Sequence, residues 1–146
     1  MSVRYVCDTS VLVKWFNEEN EQFLDQAKAL RNDWKRGSVE LITCDLAVWE
    51  LANALQKGKG LSAHEVKDAL AVLFDLPLDL LPPYHELAEM TADLAAEHGM
   101  ASYDASFIAL AKLERCRLIT ANPKHQGKVK DGTILPLAGY PVIPPN

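Results

Sequence analysis

A chain of 146 residues is long enough for one domain that buries its own core without disulfides or structural metal, and its 49% hydrophobic and 24% charged residues match ordinary soluble globular proteins. A formal net charge of −5 excludes a bulk nucleic-acid binder, which would be basic, but leaves room for a nucleic-acid substrate if the basic residues are local and a metal offsets the acids. No apolar run can span a bilayer, Asp8 interrupts the only N-terminal segment that could imitate a secretion signal, and the three cysteines (Cys7, Cys44, Cys116) show no C-x-x-C spacing. The expectation is a cytoplasmic protein with buried, reduced thiols and no membrane partner.

In chain order, the first element is an apolar strand, Val3–Cys7, that ends on Asp8-Thr9-Ser10. Strand-like runs follow at 40–44 and 117–121, with weaker ones at 78–81 and 133–137. The segments between the strongest three carry helical periodicity and are too long for hairpins, so the strands should be parallel with right-handed crossovers. Asn20 is the expected cap of a helix running through Phe23, Leu24, Ala27 and Leu30 to Gly37, and Asp45 that of the next helix. Ser62-Ala63-His64-Glu65 reads as a capping box. In the helix behind it, the apolar run 69–74 goes right round the axis, which predicts a subunit interface as well as a core contact. Pro77 ends that helix, another runs from Tyr84 to His98 before Gly99, and a third starts near Ser102 and passes through Leu113. Residues 139–146 hold three prolines and read as an extended tail. The expected fold is a three-layer α/β/α sandwich, one domain over residues 1–146, on a mostly parallel sheet of four or five strands.

In open α/β sheets ligands bind outside the C-terminal strand ends, and several candidate residues fall there. Asp8 follows the first strand, as a ligand or as a helix cap, and Asn122 follows the strand near 117–121 in the same way. Glu50 lies in an otherwise nearly apolar helix, where an unpaired carboxylate is costly. Asp104 lies in the first turn of a helix, a place that the helix dipole alone also favours. Three carboxylates in one crevice call for a hard divalent cation such as Mg²⁺ or Mn²⁺, and the lack of a histidine cluster argues against zinc. Such ions suit phosphodiester hydrolysis. A phosphatase using Asp8 as nucleophile is disfavoured, because Ser10 stands where a second Asp would be needed.

Four segments together carry a resemblance: Val6-Cys7-Asp8-Thr9-Ser10-Val11-Leu12, then Asp45-Leu46-Ala47-Val48-Trp49-Glu50-Leu51-Ala52-Asn53-Ala54, then Tyr103-Asp104-Ala105-Ser106-Phe107-Ile108-Ala109-Leu110-Ala111, and Leu118-Ile119-Thr120-Ala121-Asn122. In this order they resemble the PIN-domain nucleases, and within them the VapC-type toxins of prokaryotic toxin–antitoxin pairs. The resemblance implies Mg²⁺- or Mn²⁺-dependent cleavage of RNA at the C-terminal edge of a parallel sheet. It also implies a homodimer and a VapB-type antitoxin whose segment fills the active-site groove. Carried over, Asp8, Glu50 and Asp104 match the metal-binding acids and Thr9 or Ser10 the hydroxyl beside the first acid. Asn122 departs from the pattern, since many members have a fourth Asp there, and this predicts one tightly bound metal rather than two. A catalytically weak module acting through its antitoxin is the alternative. Lys124, His125 and Lys128, just past Asn122, are the candidate phosphate contacts, with Lys57 and Lys59 a weaker second pair.

Overall fold

The computed structural model describes residues 2–143 and, within them, every side chain except that of His125. Five strands form one sheet: β1 (Val3–Cys7), β2 (Val39–Cys44), β3 (Asp79–Leu81), β4 (Arg117–Thr120) and β5 (Ile134–Pro136). Their order is β3-β2-β1-β4-β5 and every neighbouring pair is parallel. The connecting helices are α1 (Thr9–Phe16), α2 (Leu24–Lys35), α3 (Leu46–Asn53), α4 (Ala63–Asp75), α5 (His85–His98), α6 (Ser102–Leu113) and the single turn α7 (Pro123–Gln126).

The chain lays down β1, β2 and β3 in one direction, then returns past β1 to add β4 and β5 on its other side. With right-handed crossovers, this reversal puts the helices of the first two connections on one face and α5 and α6 on the other. The packing agrees: α6 lies on β1, β2 and β4 and is backed by α5, whereas α2 packs on β2 and α1 on α2 and α3. The same reversal leaves a crevice between the C-terminal ends of β1 and β4. Both strands are central and their inner residues Val6, Cys7, Leu118, Ile119 and Thr120 are fully buried. The crevice therefore has a rigid floor.

Local sequence sets most boundaries. Ser62 and Glu65 make the reciprocal capping box of α4, and Leu76, before Pro77, is extended and stops it. Gly37 and Gly99 turn the chain out of α2 and α5 at φ +79° and +60°, a conformation that L side chains rarely adopt. The three cysteines are free, with Cys7 and Cys44 buried, and burial pushes the Cys44 thiol up to about 12. They are packing residues, as expected. Among the described residues no helix is long and apolar enough to cross a membrane.

Three expectations need correction. Asn20 does not cap α2: it and Phe23 are both left-handed (φ 56° and 58°), the helix starts at Leu24, and its first amide bond goes to the Phe23 carbonyl. A cap needs extended dihedrals, which Asn20 gives up to turn the loop. Asp45 holds the cap position of α3, but its helical dihedrals leave its side chain without a capping bond. In α4, Val66 and Leu73 face the core, while Val72 and Phe74 are 51% and 63% exposed in the single chain. The tail is anchored before it becomes extended: residues Leu137–Gly139 form a 3₁₀ turn and Tyr140 is buried, edge-on to Tyr5, with its hydroxyl donating to Asp33. Residues 144–146 of that tail lie outside the described part.

Candidate active site

Asp8 sits one residue past β1, where its amide donates to the Ile119 carbonyl of β4 at 3.0 Å and its side chain caps α1 by accepting from the Ser10 amide at 3.2 Å. The carboxylate therefore takes the capping role that the sequence offered for it. Ser10 Oγ donates to Asp8 Oδ2 at 2.5 Å and Thr120 Oγ1 donates to the same oxygen at 3.2 Å. Each hydroxyl has one proton, so both are committed to Asp8; their oxygens accept from the Ala121 and Asn122 amides at 2.9 and 3.1 Å. The 3.3 Å approach of Ser10 Oγ to Thr120 Oγ1 is then a contact between two donors already in use. Asp8 Oδ1 accepts from Gln126 Nε2 at 3.3 Å. A buried carboxylate held by this many donors is fixed in one rotamer.

Glu50 lies on α3, whose Ala47, Val48 and Leu51 are buried while the neighbouring Trp49 is 72% exposed. The helix is thus apolar on both sides but buried on one, and Glu50 is half-buried at the boundary. Thr9 Oγ1 donates to Glu50 Oε1 at 2.8 Å, so the residue after Asp8 orients the second acid. Burial raises the Glu50 carboxyl above its ordinary value, the Thr9 hydrogen bond opposes this, and the charges of Asp8 and Asp104 raise it further. Asp104, in the first turn of α6, is half-buried. Asp8, Thr9, Ser10, Glu50, Asp104, Asn122 and Gln126 line one cleft of about 230 Å³, closed on one side by Val13 and Ala54. All six candidate residues for catalysis are therefore brought together.

The residue after α3 belongs to a π-helical turn, Ala54–Gly58, closed by the Lys59 amide donating to the Ala54 carbonyl at 3.0 Å. This turn brings Lys59 Nζ to Glu21 at 2.7 Å, and Lys14 of α1 meets the other oxygen of Glu21, also at 2.7 Å. Burial alone would raise the Glu21 carboxyl, but the hydrogen bonds from the two lysines outweigh it and hold it below its ordinary value. Lys59 is consequently a structural cation that clasps α1, the 17–23 loop and the end of α3, and it does not serve as the phosphate contact suggested by the sequence. Lys124 and Lys128 are exposed and share a groove with Pro123, Gly127 and Lys130; Lys128 Nζ also donates to the Gly99 carbonyl at 3.1 Å. His125 falls within α7, and its side chain lies outside the described residues.

Two members of the site escaped the sequence reading. Thr120 could have been found as a hydroxyl that ends an otherwise apolar buried strand, a place where it must have a partner. Gln126 offers no such signal, because it stands in a polar, basic segment that looks solvated.

The PIN domain profile matches residues 5–130, a span that contains every residue of this cleft. The chain belongs to the PIN-domain family. PIN domains are generally nucleases, and an acidic cleft at the switch point of a parallel sheet is consistent with that. Solved structures with the same fold include a toxin–antitoxin complex from Klebsiella pneumoniae (20% identity, 90% of this chain and 95% of that one, TM-score 0.66). FitAcB from Neisseria gonorrhoeae (18% identity, 92% and 99%, TM-score 0.65) and PAE2754 from Pyrobaculum aerophilum (20% identity, 94% and 92%, TM-score 0.62) also share it. No curated protein sequence matches the chain.

Which of these residues suit a metal follows from their chemistry. Among the described residues no three His, Cys, Asp or Glu side chains converge tightly enough to hold an ion as they stand. Yet Asp8, Glu50 and Asp104 offer hard oxygens on one cleft, and the like charges around Glu50 disfavour its ionised form. This donor set fits Mg²⁺ or Mn²⁺, since Mg²⁺ keeps several waters and needs only one or two carboxylates.

A stability experiment reads the combined cost of burial and like charges at Glu50. Because folding raises the Glu50 carboxyl above its unfolded value, its contribution is intact below the ordinary glutamate range and is lost as pH rises through the folded value. Glu50→Gln is expected to raise the melting temperature of chelator-treated protein at pH 7 and to narrow the difference from wild type below pH ~4. A lower melting temperature for the variant at pH 7 would show that the carboxylate is not repelled.

Proposed function

We propose that this PIN domain is a divalent-metal-dependent endoribonuclease that hydrolyses RNA phosphodiester bonds as the toxin of a toxin–antitoxin pair. The observation that carries the reading is the convergence of Asp8, Glu50 and Asp104, from three separate elements, on one cleft at the switch point of the sheet. Asp8, Glu50 and Asp104 would hold Mg²⁺ or Mn²⁺. Such an ion, when bound, lowers the pKa of a water and stabilises the leaving oxygen. The protein's own part is positioning: Ser10 and Thr120 fix Asp8, and Thr9 aims Glu50. Lys124 and Lys128 stand just beyond Asn122 on the same edge, where they would meet phosphates of the bound strand. We assign His125 to the same set by its position in α7.

The second reading, a catalytically weak module acting through its antitoxin, is favoured by one observation: the fourth corner of the cleft is Asn122, exposed and uncharged. One experiment separates the two. Purified wild type is expected to cleave a structured RNA with Mg²⁺ or Mn²⁺ and Asp8→Asn to abolish cleavage, with Asn122→Asp giving no more than a modest gain. A wild type without turnover that Asn122→Asp restores would establish the weak module instead, and cleavage surviving Asp8→Asn would remove the site.

The toxin role also requires partners. A VapB-type antitoxin encoded beside this chain is expected to suppress the cleavage when added in equimolar amount; full activity in its presence would contradict the pairing. We further assign a homodimer, supported by two apolar surfaces left open in one chain. One is the α4 face with Val72 and Phe74, and the other is a groove of about 440 Å³ flanked by Trp49 and Tyr103, themselves 72% and 64% exposed. Light scattering should report a dimer, and a glutamate at Phe74 or at Trp49 should return the monomer. A dimer that survives both substitutions would place the interface elsewhere.

A further inference from the structure

Gln126 is 1% exposed, yet it lies on the wall of a cleft whose other polar residues are the acids, their hydroxyl partners and Asn122. Its Nε2 donates to Asp8 Oδ1 at 3.3 Å and to the Asp104 backbone carbonyl at 3.4 Å, so one amide links the first acid to the helix that carries the third. The orientation of the amide is fixed by chemistry. Reversing it would set Oε1 against a carboxylate and a carbonyl, both acceptors only. In the orientation that remains, Oε1 has no partner; among the described residues the only other buried side-chain polar atom without one is Arg31 Nε.

A buried amide oxygen left without a hydrogen bond weakens the fold, and a group retained in that condition beside a charged cleft calls for a ligand. The ligand must be electron-poor, because the oxygen can only accept. It must also tolerate, or require, the carboxylates alongside. A divalent cation with its hydration shell meets both conditions; an anion or an apolar group meets neither. Asn122, the residue at the position where an acid would add charge, is exposed, whereas Gln126 is buried against Asp8.

We propose that Gln126 is the neutral fourth member of the cation site: its Nε2 orients Asp8 and its Oε1 is an oxygen donor toward the divalent ion. This rests on the divalent-metal reading above and deepens it, because it assigns the missing donor to α7 instead of to the end of β4. The arrangement also gives α7 a purpose, since a single helical turn begun by Pro123 is what carries Gln126 back over the cleft.

The test is Mn²⁺ binding by calorimetry, with thermal melting of the metal-free protein alongside, on the full chain as wild type, Asp8→Asn, Gln126→Met and Gln126→Glu. Wild type is expected to bind Mn²⁺ and Asp8→Asn to lose it. Gln126→Met should bind about tenfold more weakly, the lower end of the loss seen when a supporting partner of a metal ligand is removed. Its metal-free melting temperature should fall slightly, because removal of the uncompensated oxygen offsets only part of the loss of the two Nε2 bonds. Gln126→Glu keeps an oxygen at the same place and should bind more tightly than Gln126→Met.

A purely structural Gln126 lowers the metal-free melting temperature of Gln126→Met but leaves its Mn²⁺ affinity unchanged, and that unchanged affinity overturns the proposal. So does a Gln126→Glu no better than Gln126→Met. Should Gln126→Met fail to fold, Gln126→Asn, which keeps the amide but cannot reach, replaces it with the same expected loss. Wild type that binds no Mn²⁺ removes the metal reading and this inference together; wild type that binds it while the Gln126 variants match it removes the inference alone.

Discussion

Supplying hydrogen-bond donors to a carboxylate buried inside a folded domain is the constraint around which this chain is organised. Asp8 is only 9% exposed, and leaving such a group without donors would cost several kcal/mol, of order. The structure meets the demand from three directions at once: the start of α1 through the amide and hydroxyl of Ser10, the end of β4 through Thr120, and the single turn α7 through Gln126. The contributions of Thr120 and Gln126 require β1 and β4 to be neighbours. They are neighbours only because the chain reverses direction after β3, so the sheet order and the acid's environment are a single problem with a single solution.

The second acid depends on the first through one bond. Thr9 Oγ1 reaches Glu50 across 41 positions of sequence, which makes the start of α1 the common support of both carboxylates. The Lys14–Glu21–Lys59 clasp then ties the far end of α1 to the end of α3. The two helices carrying the acids are joined at both ends. A site in which like charges are held close needs this kind of stiffness, since otherwise the cheapest response to repulsion is for the helices to move apart.

What the sequence disclosed and what it concealed divide along physical lines. The strands ending on Asp8 and Asn122 were legible because an apolar run that stops on a polar residue marks a sheet edge. Ser62-Glu65 was legible because a capping box is a local motif complete within four residues. Glu50 was legible as a misplaced charge. By contrast, the left-handed Asn20 and Phe23 belong to a loop shaped by tertiary contacts, and the Lys14–Glu21–Lys59 clasp joins residues with no periodic relation. The burial of Gln126 depends on α7 folding back over the cleft. Composition could not distinguish it from its lysine neighbours, and the apolar ring of α4 could not by itself say which of its sides faces the core.

The two edges of the sheet bear on how this domain can associate. β3 and β5 are three residues each; β3 runs into Pro82-Pro83 and β5 closes on Pro136. Proline cannot donate to a ladder, and a three-residue edge offers a new strand too few bonds to hold it. Growth of the sheet from chain to chain, the commonest route by which exposed β-structure aggregates, is therefore blunted at either margin. The exposed apolar side chains of this domain, Val72, Phe74, Trp49 and Tyr103, lie instead on helices, where contact between chains does not extend the sheet.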